Sequence, residues 1–150
     1  MTGVQTCALP ISRQLAEQAL AIKQTLDPAA AEIWTTYGLL AQIAEKQGDV
    51  AAAKAYRRLS RETKLNYAGT RYELEGKYRD LILGVIAAVT DAEARQQLET
   101  ALDSFPEGWK NLVQAIHQIL AGERDAEVLC EPLNCWEAPV VLTILNLLPR

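Results

Sequence analysis

Between Ala31 and Arg61 (AEIWTTYGLLAQIAEKQGDVAAAKAYRRLSR) the apolar positions recur at the interval that places them on one side of an α-helix. Ile33, Trp34, Tyr37, Leu40, Ala41 and Ala44 form a first stripe, the core side of one helix. Ala52, Ala53, Tyr56 and Leu59 form a second, with Lys54, Arg57, Arg58 and Arg61 opposite. Gly48-Asp49 separates the two runs. A glycine just past a helix end accepts positive φ without steric cost, and an aspartate after it caps the next helix through its side-chain oxygen. Two helices joined so tightly lie antiparallel. The pattern therefore predicts a helical hairpin, and no catalytic constellation accompanies it.

The rest of the chain reads in the same period. Leu15, Ala16, Ala19, Leu20 and Ile22 predict a helix that ends at Asp27-Pro28, where Asp27 can cap and Pro28 suits a first turn. After a break at 66–69, a longer helix is expected over 70–89, with Tyr78, Leu81, Ile82, Val85, Ile86 and Val89 on one stripe. Gly76 and Gly84 interrupt it at about 1 kcal/mol each relative to alanine, and close helix contact explains Gly84. Thr90-Asp91-Ala92-Glu93 has the form of a capping box, with the Thr90 hydroxyl on the cap, and its helix ends near Asp103. A turn around Pro106 leads to a helix with Trp109, Leu112, Val113, Ile116 and Leu120, which stops at Gly122 before a short acidic helix. Asn134 to Glu137 supplies a second capping arrangement, and Val140, Val141, Ile144, Leu145 and Leu148 face inward from a last helix whose first turns tolerate Pro139. No period-two alternation persists, so the fold class is all-α. No apolar run reaches the roughly 18 residues that cross a bilayer, so no membrane span is expected.

The 31–61 hairpin resembles a tetratricopeptide repeat (TPR), whose unit is a helix-turn-helix of about 34 residues with a small residue mid-way in each helix. Tyr37, Leu40, Ala41, Ala44, Gly48-Asp49 and Ala53 fall on the signature positions in the register without gaps, which sets Ala41 against Ala53. Arg57 stands where an aromatic is usual, with Tyr56 one place off. Reading Trp34 and Gly38 as the signature Trp and Gly instead requires three extra residues before Gly48. Ala16, Leu20 and Leu26-Asp27-Pro28 resemble the second helix and terminal Asp-Pro of a preceding repeat. The segment LAGERDAEVLCEPL at 120–133, with the helix beyond it, resembles the carboxy-terminal tail of some bacterial TPR proteins, several of which carry the array on a nucleotide-switch ATPase or caspase-like protease that it regulates.

The resemblance implies antiparallel hairpins of solenoid type over 12–65, one partial repeat and one complete, followed by a helical bundle over 66–150 that caps the open end and unfolds with it. Leu81 and Ile116 are expected to be core positions in that bundle, Trp109 its large anchor, and Arg95 a surface position whose loss costs little. The implied function is a non-enzymatic protein–protein interaction scaffold with a protein or peptide in the concave groove. That nominates Trp34, Tyr37, Gln42 and Glu45, the first two being largely core. Residues 1–11, MTGVQTCALPI, lack the features of a signal or transit peptide and resemble a translated sequencing adapter. They are expected to be non-native, with the true chain longer at that end.

The net charge of −4 conceals a separation along the sequence. From Lys54 to Asp80 eight basic residues outnumber four carboxylates, whereas from Asp91 to Glu137 ten carboxylates face three basic residues, so the two ends either attract each other or steer different partners. Lys54, Arg57, Arg58 and Arg61 recur at neighbour spacing and are able to neutralise phosphates, with Tyr67 and Tyr72 as stacking surfaces. Nucleic-acid binding by the basic helix 54–64 is thus the alternative function. A solvated face, or an acidic protein partner, is the preferred account of the same stripe. Catalysis needs a base held against a second group, and the chain has one histidine, His117, at the edge of its stripe. Cys130 and Cys135 are too few for a zinc site, which takes about four ligands, and no glycine-rich phosphate loop occurs. Neither metal nor cofactor is expected. Without a signal peptide, reduced thiols and a cytoplasmic location follow.

Overall fold

The computed structural model describes residues 2–27 and 31–149. Pro28, and with it half of the Asp27-Pro28 junction, lies outside the described residues. Among those described, the chain is all-helical with no strand. It divides into two compact units, Met1–Arg71 and Tyr72–Arg150.

In the first unit α1 (Thr2–Lys23), α2 (Ile33–Lys46) and α3 (Val50–Asn66) pack in sequence. The α2–α3 turn is fixed by backbone chemistry. Gly48 takes φ of 79°, so the amide of Gly48 donates to the Glu45 carbonyl and that of Asp49 to the Ala44 carbonyl, a Schellman closure that satisfies the carbonyls left over at a helix end. Asp49 then accepts from the Ala52 amide at 3.1 Å and starts α3. Ala41 and Ala53 are 3% and 2% exposed, which lets the two backbones approach. Ser60 Oγ donates to the Trp34 carbonyl across the pair at 2.9 Å, and the Tyr37 and Tyr56 rings stack at 6.4 Å.

α1 runs antiparallel to α2: Arg13 reaches Gln47 at one end, at 2.9 Å, and Lys23 reaches the Glu32 carbonyl and Thr35 at the other. Hydrogen bonds to Tyr56 and then Glu17 hold the Arg13 guanidinium above its ordinary pKa. The α1–α2 core is Ala16, Leu40 and Ile43, with Leu9, Leu20 and Tyr56 against it. α1 departs from the expected single stripe, because Leu15 and Ile22 are 61% and 67% exposed. They lie seven residues apart on a line of their own, adjacent to the Ala16–Leu20 line that α2 covers. The helix passes through Ile11-Ser12 unbroken, with Pro10 inside it.

α4 (Ala68–Gly76) follows α3 after a single extended residue, Tyr67, so the break expected over 66–69 is confined to one position. The helix expected over 70–89 is two helices, since α4 ends at Gly76 and α5 (Arg79–Thr90) begins after Lys77-Tyr78. Glycine's helix penalty and the Tyr78 amide's bond back to the Glu73 carbonyl place the break there. A Cβ on Gly84 would meet Leu98 at 3.9 Å, an ordinary contact, so close packing does not require that glycine.

The second unit contains α5, α6 (Ala92–Asp103), a 3-10 turn (Glu107–Trp109), α7 (Lys110–Leu120), α8 (Ala126–Cys130) and α9 (Ala138–Leu147). Asp91, not Thr90, caps α6 by accepting from the Glu93 and Ala94 amides, because Thr90 is still the last residue of α5. α9 packs against α5, α7 and α8. It is apolar on most of its circumference, which suits a central helix. Val85, Leu112, Ile116, Ile119, Leu129, Val140, Val141 and Ile144 are fully buried. At the end of α7, Gly122 (φ 109°) repeats the Schellman closure, while Arg95 donates to the Leu120 carbonyl at 2.9 Å and Arg124 to the Ile119 carbonyl at 2.7 Å. Two guanidiniums thus meet the negative end of the α7 dipole.

These placements revise the expected substitution costs. Ile116 is fully buried, whereas Leu81 is only half-buried, and Arg95 is a cap rather than a bystander. Ile116→Ala is expected to cost about 2–5 kcal/mol, Leu81→Ala clearly less, and Arg95→Ala about 1 kcal/mol in denaturant titrations of the full chain. Arg95→Ala indistinguishable from the parent would refute its capping role.

Candidate functional site

α2 divides the four groove candidates in two. Tyr37 is 8% exposed and stacked on Tyr56, so its ring belongs to the core. Trp34 is half-buried, and its indole carries the Lys64 ammonium 4.2 Å from the ring centroid, with the Tyr67 ring 5.5 Å from the same ammonium. Gln42 and Glu45 are exposed and, three residues apart, continue a line that begins at Leu39, itself 49% exposed. A rigid helix therefore presents an apolar, an amide and a carboxylate side chain in a row. Glu45 is also engaged across the hairpin, accepting from Arg57 Nη2 at 2.6 Å.

The basic residues of α3 do not form one stripe. Lys54 and Arg58, four apart, are exposed. Arg57 and Arg61 are half-buried and Lys64 is 3% exposed. Positions 57, 61 and 64 follow one edge of α3, where Arg57 meets Glu45 and Lys64 sits on Trp34, both on α2. The helix thus spends part of its positive charge on its own hairpin partner. Spacing alone does not show that an indole lies beneath the Lys64 ammonium. The lysine stem lies in an apolar seam and its head on aromatic faces, which lowers the cost of burying the ammonium.

The remaining chemistry-bearing residues are dispersed. His117 is exposed on α7, Cys130 is buried and Cys135 half-buried, both as thiols. Among the described residues no group of three or more His, Cys, Asp or Glu side chains is arranged to hold a metal ion. The same residues include no helix long and apolar enough to cross a membrane.

One gathering in the second unit escaped the sequence reading. Tyr78 lies against Trp109 at 5.7 Å and lines a hollow with it, Trp136 and Glu137, while Phe105 meets the same indole edge-on at 5.8 Å. Its members come from three separate connections between helices, so helical periodicity carries no trace of it. The Asn134–Glu137 cap was the one readable signal. Comparison with protein-family models, with curated proteins and with solved structures finds no match to this chain.

The Lys64 seat has a measurable consequence. Lys64→Ala is expected to cost about 2 kcal/mol through the lost cation–π contact and the lost packing of the stem, and to change Trp34 emission. Lys54→Ala, at an exposed position of the same helix, should leave both unchanged. Equal effects of the two substitutions in urea unfolding would show that Lys64 is only another surface charge.

Proposed function

We propose that this chain is a non-catalytic, helical protein-interaction scaffold of tetratricopeptide type, the end of an array whose α2 face receives a protein or peptide. The observation that carries the reading is the division of α2. Leu40, Ala41 and Ala44 are locked against neighbouring helices, which holds Leu39, Gln42 and Glu45 outward on a rigid support. Preorganised side chains bind without repeated ordering cost. Control of an attached effector or nucleotide-switch domain is the regulatory role the resemblance adds, and the two thiols accord with a reducing, cytoplasmic setting.

Nucleic-acid binding through Lys54, Arg57, Arg58 and Arg61 ranks second. Arg57 is turned onto Glu45 and only Lys54 and Arg58 are fully on the open side, leaving a short basic footprint on an acidic chain.

The test is selection of peptides from a displayed random library against the full chain, followed by binding measurements on Gln42→Ala and Glu45→Ala. Peptides enriched on the parent are expected to lose about tenfold in affinity on each variant, roughly 1.4 kcal/mol. Enriched peptides that bind both variants undiminished would remove this face. Salt-sensitive binding of single-stranded oligonucleotides, abolished by Arg57→Glu, Arg58→Glu and Arg61→Glu together, would replace the reading with the second one.

A further inference from the structure

From the hollow in the second unit we infer that this protein has a binding site for an organic ammonium ion, walled by Tyr78, Trp109 and Trp136 and floored by Glu137. The site is independent of the α2 face. Its cavity is about 160 Å³. That falls well short of the roughly 300–1,000 Å³ of pockets that take whole cofactors or drug-sized ligands, and suits one head group.

Three observations fix the chemistry. First, Glu137 is 8% exposed, and its two oxygens differ. Oε1 accepts from the Asn134 amide at 3.4 Å, while Asn134 Oδ1 accepts from the Trp136 and Glu137 amides at 2.9 Å each, a reciprocal cap that pins the carboxylate in place. Oε2 is buried and has no hydrogen-bond partner. A buried carboxylate oxygen with nothing to accept from is costly to keep, and positive charge held in the adjoining hollow would offset that cost electrostatically rather than as a hydrogen-bond donor.

Second, the aromatic walls already attract a cation. The Lys77 ammonium lies 5.2 Å from the Tyr78 centroid and 5.9 Å from the Trp109 centroid, within the range over which a ring quadrupole holds positive charge. The Tyr78 and Trp109 planes are inclined at 52°, an open corner rather than a closed stack, and Phe105 braces Trp109 from its edge. Lys77 is itself exposed, so it acts as a displaceable occupant of the rim. Third, the carboxylate excess over 91–137 favours approach of cations over anions.

Methylated or primary alkylammonium groups match this arrangement, because they offer positive charge with an apolar surface to rings and carboxylate together. The same head group is found on free small amines and on lysine side chains of proteins. The experiment is calorimetric titration of the full chain with choline, with its neutral isostere 3,3-dimethyl-1-butanol, and with a short peptide carrying one trimethyllysine. At least one cation is expected to bind saturably, with the neutral isostere about tenfold weaker or more.

Glu137→Gln keeps an oxygen for the Asn134 amide and should reduce cation affinity about tenfold or more at unchanged melting temperature. Trp136→Ala, at a half-exposed wall, should do the same if the glutamine variant folds poorly. Lys77→Met should tighten binding by removing the resident competitor, which a merely structural role for these residues does not predict. Tighter binding of the peptide than of choline assigns the site to a partner's lysine, and the reverse assigns it to a free amine. No heat from either cation up to about 10 mM overturns the inference. So does an isostere that binds as well as choline, or cation affinity that survives both Glu137→Gln and Trp136→Ala.

Discussion

Three connections between consecutive helices are only one or two residues long, and the local structure around them follows from that constraint. One residue, Tyr67, joins α3 to α4; one residue, Asp91, joins α5 to α6; Lys77-Tyr78 alone joins α4 to α5. A helix end carries several backbone groups without intrahelical partners, and a connection this short must satisfy them on the spot. The sequence does so with different devices at different ends. Glycine in the left-handed region closes α2 and α7, aspartates at 49, 91 and 125 open α3, α6 and α8, and guanidiniums from Arg95 and Arg124 reach the α7 carbonyls. The α2–α3 hairpin also uses small residues, since Ala41 and Ala53 let the backbones close while longer side chains on either side hold register.

Most of this grammar could be read from the letters. Gly48-Asp49 announces its turn because both residues have a single physical reason to stand together there, and the stripes of α2, α7 and α9 announce their buried faces because each is covered along most of its length. What failed was local competition between near-equal options. Thr90 and Asp91 are both good caps, and only the last turn of α5, which claims Thr90, decides between them. Gly76 and Gly84 look alike in a helical run, yet one ends a helix and the other sits mid-helix in ordinary contact with Leu98. Leu15 and Ile22 have the right spacing and remain exposed, because periodicity shows that a face exists without showing which of two adjacent lines the neighbour covers.

The candidate sites were legible in proportion to how far they lie along a single helix. Gln42 and Glu45 share α2, so their common exposure follows from helix geometry once the core side is known. The basic residues of α3 were legible as charges but not as two lines, because the division depends on Trp34 and Glu45 on a different helix. The Tyr78, Trp109, Trp136 and Glu137 group was legible only through the Asn134–Glu137 cap, since its members sit in or beside turns whose relative positions emerge only when the second unit has packed.

Two buried polar groups show how the same physics leads to different outcomes. Lys64 and Glu137 are each more than nine-tenths buried, and each lies beside a tryptophan. An aromatic face is electron-rich, so it lowers the cost of burying an ammonium but offers a carboxylate nothing comparable. Lys64 is therefore suited to its seat on Trp34 and closes the α2–α3 seam. Glu137 can use one oxygen to cap its own turn, but the other is buried without a hydrogen-bond partner. A carboxylate fixed by its cap beside rings that prefer cations is an arrangement missing its counter-charge, whereas the Trp34 ring already holds the Lys64 ammonium. Of the two aromatic clusters, the one around Glu137 is therefore the one suited to a further cation.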